Sequence, residues 1–169
     1  MINEDSLFDD NDFDLFGSED ELNILGEKAK DADGKKRKVK VLIVDDDKDI
    51  HTITHLTLGD FEEDQWKVDL IDAYSGKEAI EIVSNTNDVM IILLDIVMET
   101  EHAGLDVVKY IRDELLNEEV KIVVRTGQAG SFTEEAVKQG FKINGFQHKA
   151  SLTASDLKKE LKQQLAYFI

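Results

Sequence analysis

From Val39 onward, short apolar runs alternate with stretches in which apolar residues recur at helical spacing. VKVLIV (39–44) is β-branched and apolar, which predicts a buried strand. In the stretch after it, DKDIHTITHLTLGDF, Ile50, Ile53 or Thr54, and Leu56 to Leu58 predict a helix that stops near Gly59. KVDLIDA (67–73) reads as a second strand. SGKEAIEIVSNT reads as a helix capped by Ser75, with Glu78 at capping-box spacing. VMIILLD is a third strand, and GLDVVKYIRDELL a helix with Leu105, Val108, Ile111 and Leu115 on one face. KIVVRT, the helix FTEEAVKQG closed by Gly140, the short strand NGFQHK, and SDLKKELKQQLAYFI with its stripe Leu157, Leu161, Leu165 and Phe168 complete the series. Trp66 is expected to cap the core edge at the start of the second strand. Five strand–helix units in succession imply a doubly wound α/β fold, a parallel sheet with helices on both faces.

The first 34 residues break this pattern. They hold twelve acids and two bases, a net charge of −10 within a chain whose total is −17. Such a segment buries too little apolar surface to offset ordering, so residues 1–38 are read as a disordered acidic tail joined by a basic linker, KKRKVK, to a domain over 39–169. Phe8, Phe13 and Phe16 among the acids also suit a short docking peptide. The overall negative charge argues against direct nucleic-acid binding. There is no apolar run long enough for a membrane span and no secretory h-region, and with no cysteine the chain forms neither disulfides nor thiolate sites. A cytoplasmic location is expected.

Parallel sheets of this kind bind ligands beyond the carboxyl ends of their strands. The exits are chemically uneven. Asp45, Asp46 and Asp47 follow the first strand, Asp95 the third, Thr126 the fourth and Lys149 the fifth. Each has an ordinary explanation alone, as a helix cap, a strand residue or a solvated lysine. Together they gather acids, a hydroxyl and an ammonium on one rim. Asp95 closes the apolar run IILLDIVM, where an unpaired carboxylate costs several kcal/mol or more. Clustered carboxylates repel, and a hard divalent cation such as Mg2+ resolves that repulsion while leaving one oxygen of Asp95 as a nucleophile for a phosphoryl group.

The segments VLIVDDD, LLDIVM, VVRTG and GFQHKA, in this order, resemble the receiver domain of bacterial two-component response regulators, over roughly residues 39–168. That resemblance implies a flavodoxin-like (βα)5 three-layer sandwich with sheet order 2-1-3-4-5. It implies Mg2+ held by Asp45, Asp46 (the more direct ligand), Asp95 and the backbone carbonyl of Val97. Asp95 would be the phosphoacceptor, Lys149 the phosphate-pairing lysine, Thr126 the switch hydroxyl and Phe146 the switch aromatic. Asp47 and Asp49 remain for the following helix as N-cap and first-turn acid. Partners implied are a sensor histidine kinase or phosphotransfer protein, an output domain or target protein, and a second copy in a homodimer. The chain would be a signalling module that catalyses only its own phosphorylation and dephosphorylation. METEHAGL and RTGQ further resemble receivers found upstream of HD-GYP cyclic-di-GMP phosphodiesterases. No such output domain is within these residues, so the chain is either a fragment or a stand-alone receiver.

Two departures bear on site geometry: Glu99 stands where the family usually has proline, and Ala150 follows Lys149 where the family has a cis proline, which predicts a trans bond and a displaced lysine. Two rival readings compete. A pseudo-receiver scaffold would bind partners without phosphorylation. A haloacid-dehalogenase-type phosphatase needs Thr or Val where Asp49 stands and an acidic pair after Lys149, and neither is present. His51 and His55 are read as ordinary helix residues, His102 as exposed in its loop, and His148 as pointing away from the site. On the path of a hydrolytic water, Val97 is apolar and Gln128 is able to orient it.

Overall fold

The computed structural model describes residues 35–127 and 133–168; the acidic tail, Gln128 and Phe132 lie outside them. The first strand, β1 (Arg37–Val44), begins two residues before the expected Val39 and is followed by α1 (Lys48–Leu58). Next come β2 (Glu62–Glu63), β3 (Trp66–Ala73), α2 (Gly76–Asn85), β4 (Val89–Leu94) and α3 (Ala103–Lys109). The chain closes with β5 (Lys121–Thr126), α4 (Glu134–Gly140), β6 (Gly145–His148) and α5 (Ala154–Leu165). The sheet order is β2-β3-β1-β4-β5-β6. All pairs are parallel except the β2–β3 hairpin, so the five parallel strands run 2-1-3-4-5 in their own sequence order, the flavodoxin-like arrangement.

Alternation along β1 builds two cores. Val39 and Val41 face α1 and α5, in a cluster with Leu58, Ile91, Leu93, Val123, Leu157, Leu161 and Leu165. Leu42 and Val44 face α2 and α3, with Val83, Ile92, Leu94, Val107 and Ile111. The central strands are buried on both faces, which is why they read as continuous apolar runs. Trp66 is buried at the edge of the first cluster, and the α5 stripe of three leucines is spent on the sheet. Asp47, Ser75 and Thr133 cap α1, α2 and α4 by accepting backbone N–H bonds, and Thr153 with Asp156 forms a full capping box on α5.

Three elements depart from the sequence pattern. The two-residue strand β2 has no apolar signal; it is made by a turn in which Asp64 takes a positive φ of 46°. In α1, Ile53 and Leu56 are exposed (57% and 83%), and the buried positions are His51, Thr54 and Leu58. The helix is rotated because polar contacts, described below, hold His51 inward. In α3, the regular helix ends at Lys109 and continues as a π-turn over Tyr110–Glu114, which leaves Leu115 at the surface and buries Arg112 instead. Arg112 donates to the carbonyls of Asn117, Val120 and Lys142 and to Asn144 Oδ1, so a cation closes loop ends that Leu115 could not satisfy. Among the described residues no helix is long and apolar enough to cross a membrane.

Candidate functional site

Strands β1 and β4 end side by side, with Val44 opposite Leu94. The ladder runs one step further: Asp45 N donates to Ala73 O at 3.1 Å and Asp95 N to Val44 O at 2.9 Å. Asp45 and Asp95 are therefore lateral neighbours on one face of the sheet, both buried (2% and 6% exposed), while Asp46 is exposed beside them. One carboxylate oxygen from each of the three lies within 4.8 Å of the others. Lys149 leaves β6 through a 3-10 turn and places Nζ 2.6 Å from both Asp45 Oδ2 and Asp95 Oδ2. Asp45 Oδ1 accepts from Asp47 N at 3.0 Å. Asp95 Oδ1 is buried without a hydrogen-bond partner.

Burial raises the pKa of Asp95 above the usual carboxylate range; the hydrogen bond and charge of Lys149 pull it back, and Asp45 pushes it up again, so the net direction is upward. Burial lowers Lys149, but bonds and charges from two carboxylates outweigh it and the net is also upward. The two partners move the same way because one ammonium is shared by two acids: Lys149 receives two stabilising carboxylates, while part of one ammonium and a lesser backbone contribution from Ile96 do not outweigh the burial of Asp95. An excess of clustered carboxylate, with one buried oxygen left unpartnered, suits a hard divalent cation, and the triad could bind one.

Thr126 ends β5 buried and in register with His148. Phe146 lies opposite Val124 and packs on Ile96, Leu105, Val124 and Val137. Since Val124 and Thr126 are two residues apart on one strand, Thr126 and Phe146 share that face. Val97 is half-buried in the same cluster. Gly104 touches the loop after β4 so closely that a Cβ there would sit 2.0 Å from Asp95 O, and its N–H donates to Ile96 O at 2.9 Å. The loop leaving Asp95 can take this path only with glycine at 104.

Both departures from the family pattern find an explanation. There is no cis peptide among the described residues, so the Lys149–Ala150 bond is trans as expected, and Lys149 reaches both acids. Glu99 accepts from Gly76 N and Lys77 N at 3.1 and 3.3 Å, tying the β4–α3 loop to the N-terminus of α2. His51 is no ordinary helix residue. It is buried, with Nε2 2.8 Å from Asp45 O, Nδ1 2.6 Å from Asp72 Oδ1, and its ring 4.2 Å from that of Tyr74. His55 also contacts Asp72, at 2.9 Å. The signal was the i, i+4 histidine pair together with an acid one residue before the end of β3. His102 is exposed, as is His148, whose Nε2 lies 3.8 Å from Glu134.

The model of the response regulator receiver domain family matches residues 41–162. The chain belongs to that family. Over 154 residues it is 39% identical to the 3'3'-cGAMP-specific phosphodiesterase 2 of Vibrio cholerae serotype O1, a match that covers 86% of this chain and 30% of that relative. The chain thus spans less than a third of the length of the relative it matches. Among solved structures it resembles a signal receiver domain of a two-component signal transduction histidine kinase from Clostridium thermocellum, at 20% identity and a TM-score of 0.64, covering 75% of this chain and 97% of that one. It also resembles the signal receiver domain of an HD domain-containing protein from Pseudomonas fluorescens, at 15% identity and a TM-score of 0.64, covering 78% and 97%. At these identities the two structures speak to fold.

Proposed function

We propose that this receiver domain accepts a phosphoryl group on Asp95 from a sensor histidine kinase or a phosphotransfer protein. The observation that carries the reading is the Asp95 carboxylate: Oδ2 is held by Lys149, Oδ1 is buried and unpartnered, and one of its oxygens lies within 4.8 Å of a carboxylate oxygen from each of Asp45 and Asp46. Asp45, Asp46, Asp95 and the Val97 carbonyl would hold Mg2+, which supplies positive charge to phosphoryl oxygens and orients them. One oxygen of the Asp95 carboxylate attacks phosphorus as the bond to the donor imidazole nitrogen breaks, and that nitrogen takes up a proton. Lys149 pairs with one phosphoryl oxygen, and the Thr126 hydroxyl donates to another. Drawing Thr126 toward the phosphoryl group opens space on the face it shares with Phe146, which turns inward to fill it.

The surface built by α4, β6 and α5 then changes for a second copy, an attached output domain or a separate target. The 39% identical relative is a cyclic-dinucleotide phosphodiesterase, which supports regulation of an output of that class, such as an HD-GYP domain. The domain itself is a signalling module whose chemistry is confined to Asp95, joined at its start to the acidic tail and basic linker. The test is a beryllofluoride titration followed by NMR. Binding that requires both Mg2+ and Asp95 is expected; no binding in the wild type would favour a phosphorylation-independent scaffold.

A further inference from the structure

Arg125 is a buried cation that the phosphoryl-transfer reading does not use. It is 4% exposed, on β5 immediately before Thr126. Register places it: Val44 pairs with Leu94 and Leu94 with Val124, so one step on, Asp45, Asp95 and Arg125 form a row across three adjacent strands. Residues in such a row project to the same face and sit one strand spacing apart, about 4.8 Å. The face is that of α1, because Arg125 Nη1 donates to Thr54 Oγ1 at 3.2 Å, and Thr54 in turn donates to Ile50 O. Arg125 Nε is buried with no partner.

A guanidinium in this position is expensive as packing. Its neighbours Val123 and Val124 fill the two faces of β5 with apolar side chains, and valine or leucine at 125 would do so too. Burial disfavours the charge and holds the guanidinium below its ordinary pKa, and the field of Asp45 and Asp95 offsets part of that cost. The position therefore answers to charge.

We propose that Arg125 is a fixed counter-cation of the acidic site, which sets how tightly the site binds Mg2+. With Lys149 it places two permanent positive charges against three carboxylates. A divalent cation entering this row meets the repulsion of Arg125, so the metal-free state is favoured until a phosphoryl group brings further negative charge. This rests on the phosphoryl-acceptor reading for its purpose, though not for its test.

The experiment is a Mg2+ titration of the full chain, read from backbone NMR shifts around Asp95. For a divalent cation about two strand spacings (~10 Å) from Arg125, at an effective permittivity of about 50, between that of protein and water, loss of that charge is worth about tenfold in affinity. Arg125→Met should bind Mg2+ about tenfold more tightly than wild type, and Arg125→Lys, which keeps the charge, should stay within about twofold. Should the methionine variant fail to fold, Arg125→Gln, which keeps a donor for Thr54, carries the same expectation. Unchanged affinity in the neutral variant overturns the inference, and so does an equal change in the lysine variant, which would mark a packing role. If the wild type shows no Mg2+ response, the inference is supported when Arg125→Met gains binding and overturned when it does not; failure of the function proposed above is read separately, from absence of Mg2+-dependent beryllofluoride binding.

Discussion

Lys149→Met isolates the electrostatics of the pocket. It deletes both 2.6 Å contacts and leaves Asp45 and Asp95 adjacent and buried. Removing one partner of a buried ion pair costs about 3–5 kcal/mol. Part of this is recovered when Asp95 takes up a proton, at about 1.4 kcal/mol for each pH unit by which its pKa rises. A net loss of about 3 kcal/mol near pH 7.5 is expected, or about 10 °C in Tm for a domain of this size. The sign with pH follows from the raised pKa of Asp95. A carboxyl whose folded pKa exceeds its unfolded value contributes stability that is complete below the unfolded value and is lost as pH rises through the folded one. Without Lys149 that folded value climbs further. The gap between wild type and variant should therefore be widest at pH 7–8 and narrow toward pH 4, and millimolar Mg2+ should narrow it at neutral pH. Urea denaturation by circular dichroism across pH measures this. A gap that is flat with pH, or that widens toward acid, refutes the reasoning.

Other outcomes follow from the same structure. Gly104→Ala forces the backbone of Asp95 to move, so it should cost about 1–3 kcal/mol in urea denaturation and abolish phosphorylation from acetyl phosphate. Arg112→Met removes the donor to three carbonyls and one of the two donors to Asn144 Oδ1, and should destabilise by about 3 kcal/mol while leaving Mg2+ affinity unchanged by NMR titration. Phe146→Ala should leave phosphorylation intact while removing the beryllofluoride-induced shifts over residues 145–165; lost phosphorylation would place Phe146 in the architecture of the site and not in its switch.

Most of the fold was legible because buried parallel strands write themselves as apolar runs, and because strand exits are the one place where acids after such runs are informative. The row of Asp45 and Asp95 and the approach of Lys149 follow from that rule and from the strand order. What was not legible depends on polar contacts between distant residues. Apolar spacing left Ile53 or Thr54, and Leu56 to Leu58, as inward candidates in α1; Thr54 and Leu58 face in and Ile53 and Leu56 out, with His51 caught between Asp72 and the Asp45 carbonyl. Leu115 continues a helical stripe on paper; Arg112 takes the interior because loop carbonyls there need a donor. Glu99 breaks a family pattern, and only its position against the N-terminus of α2 shows why an acid is tolerated there. Arg125 lay in an unremarked strand position until register set it beside Asp95.

The central claim is that Asp95 carries the phosphoryl group, and intact-mass analysis after incubation with acetyl phosphate tests it most directly. One phosphate adduct is expected on the wild-type chain, dependent on Mg2+ and absent from Asp95→Asn. An adduct that persists in Asp95→Asn, or a wild-type chain that stays unmodified with Mg2+ present, contradicts it.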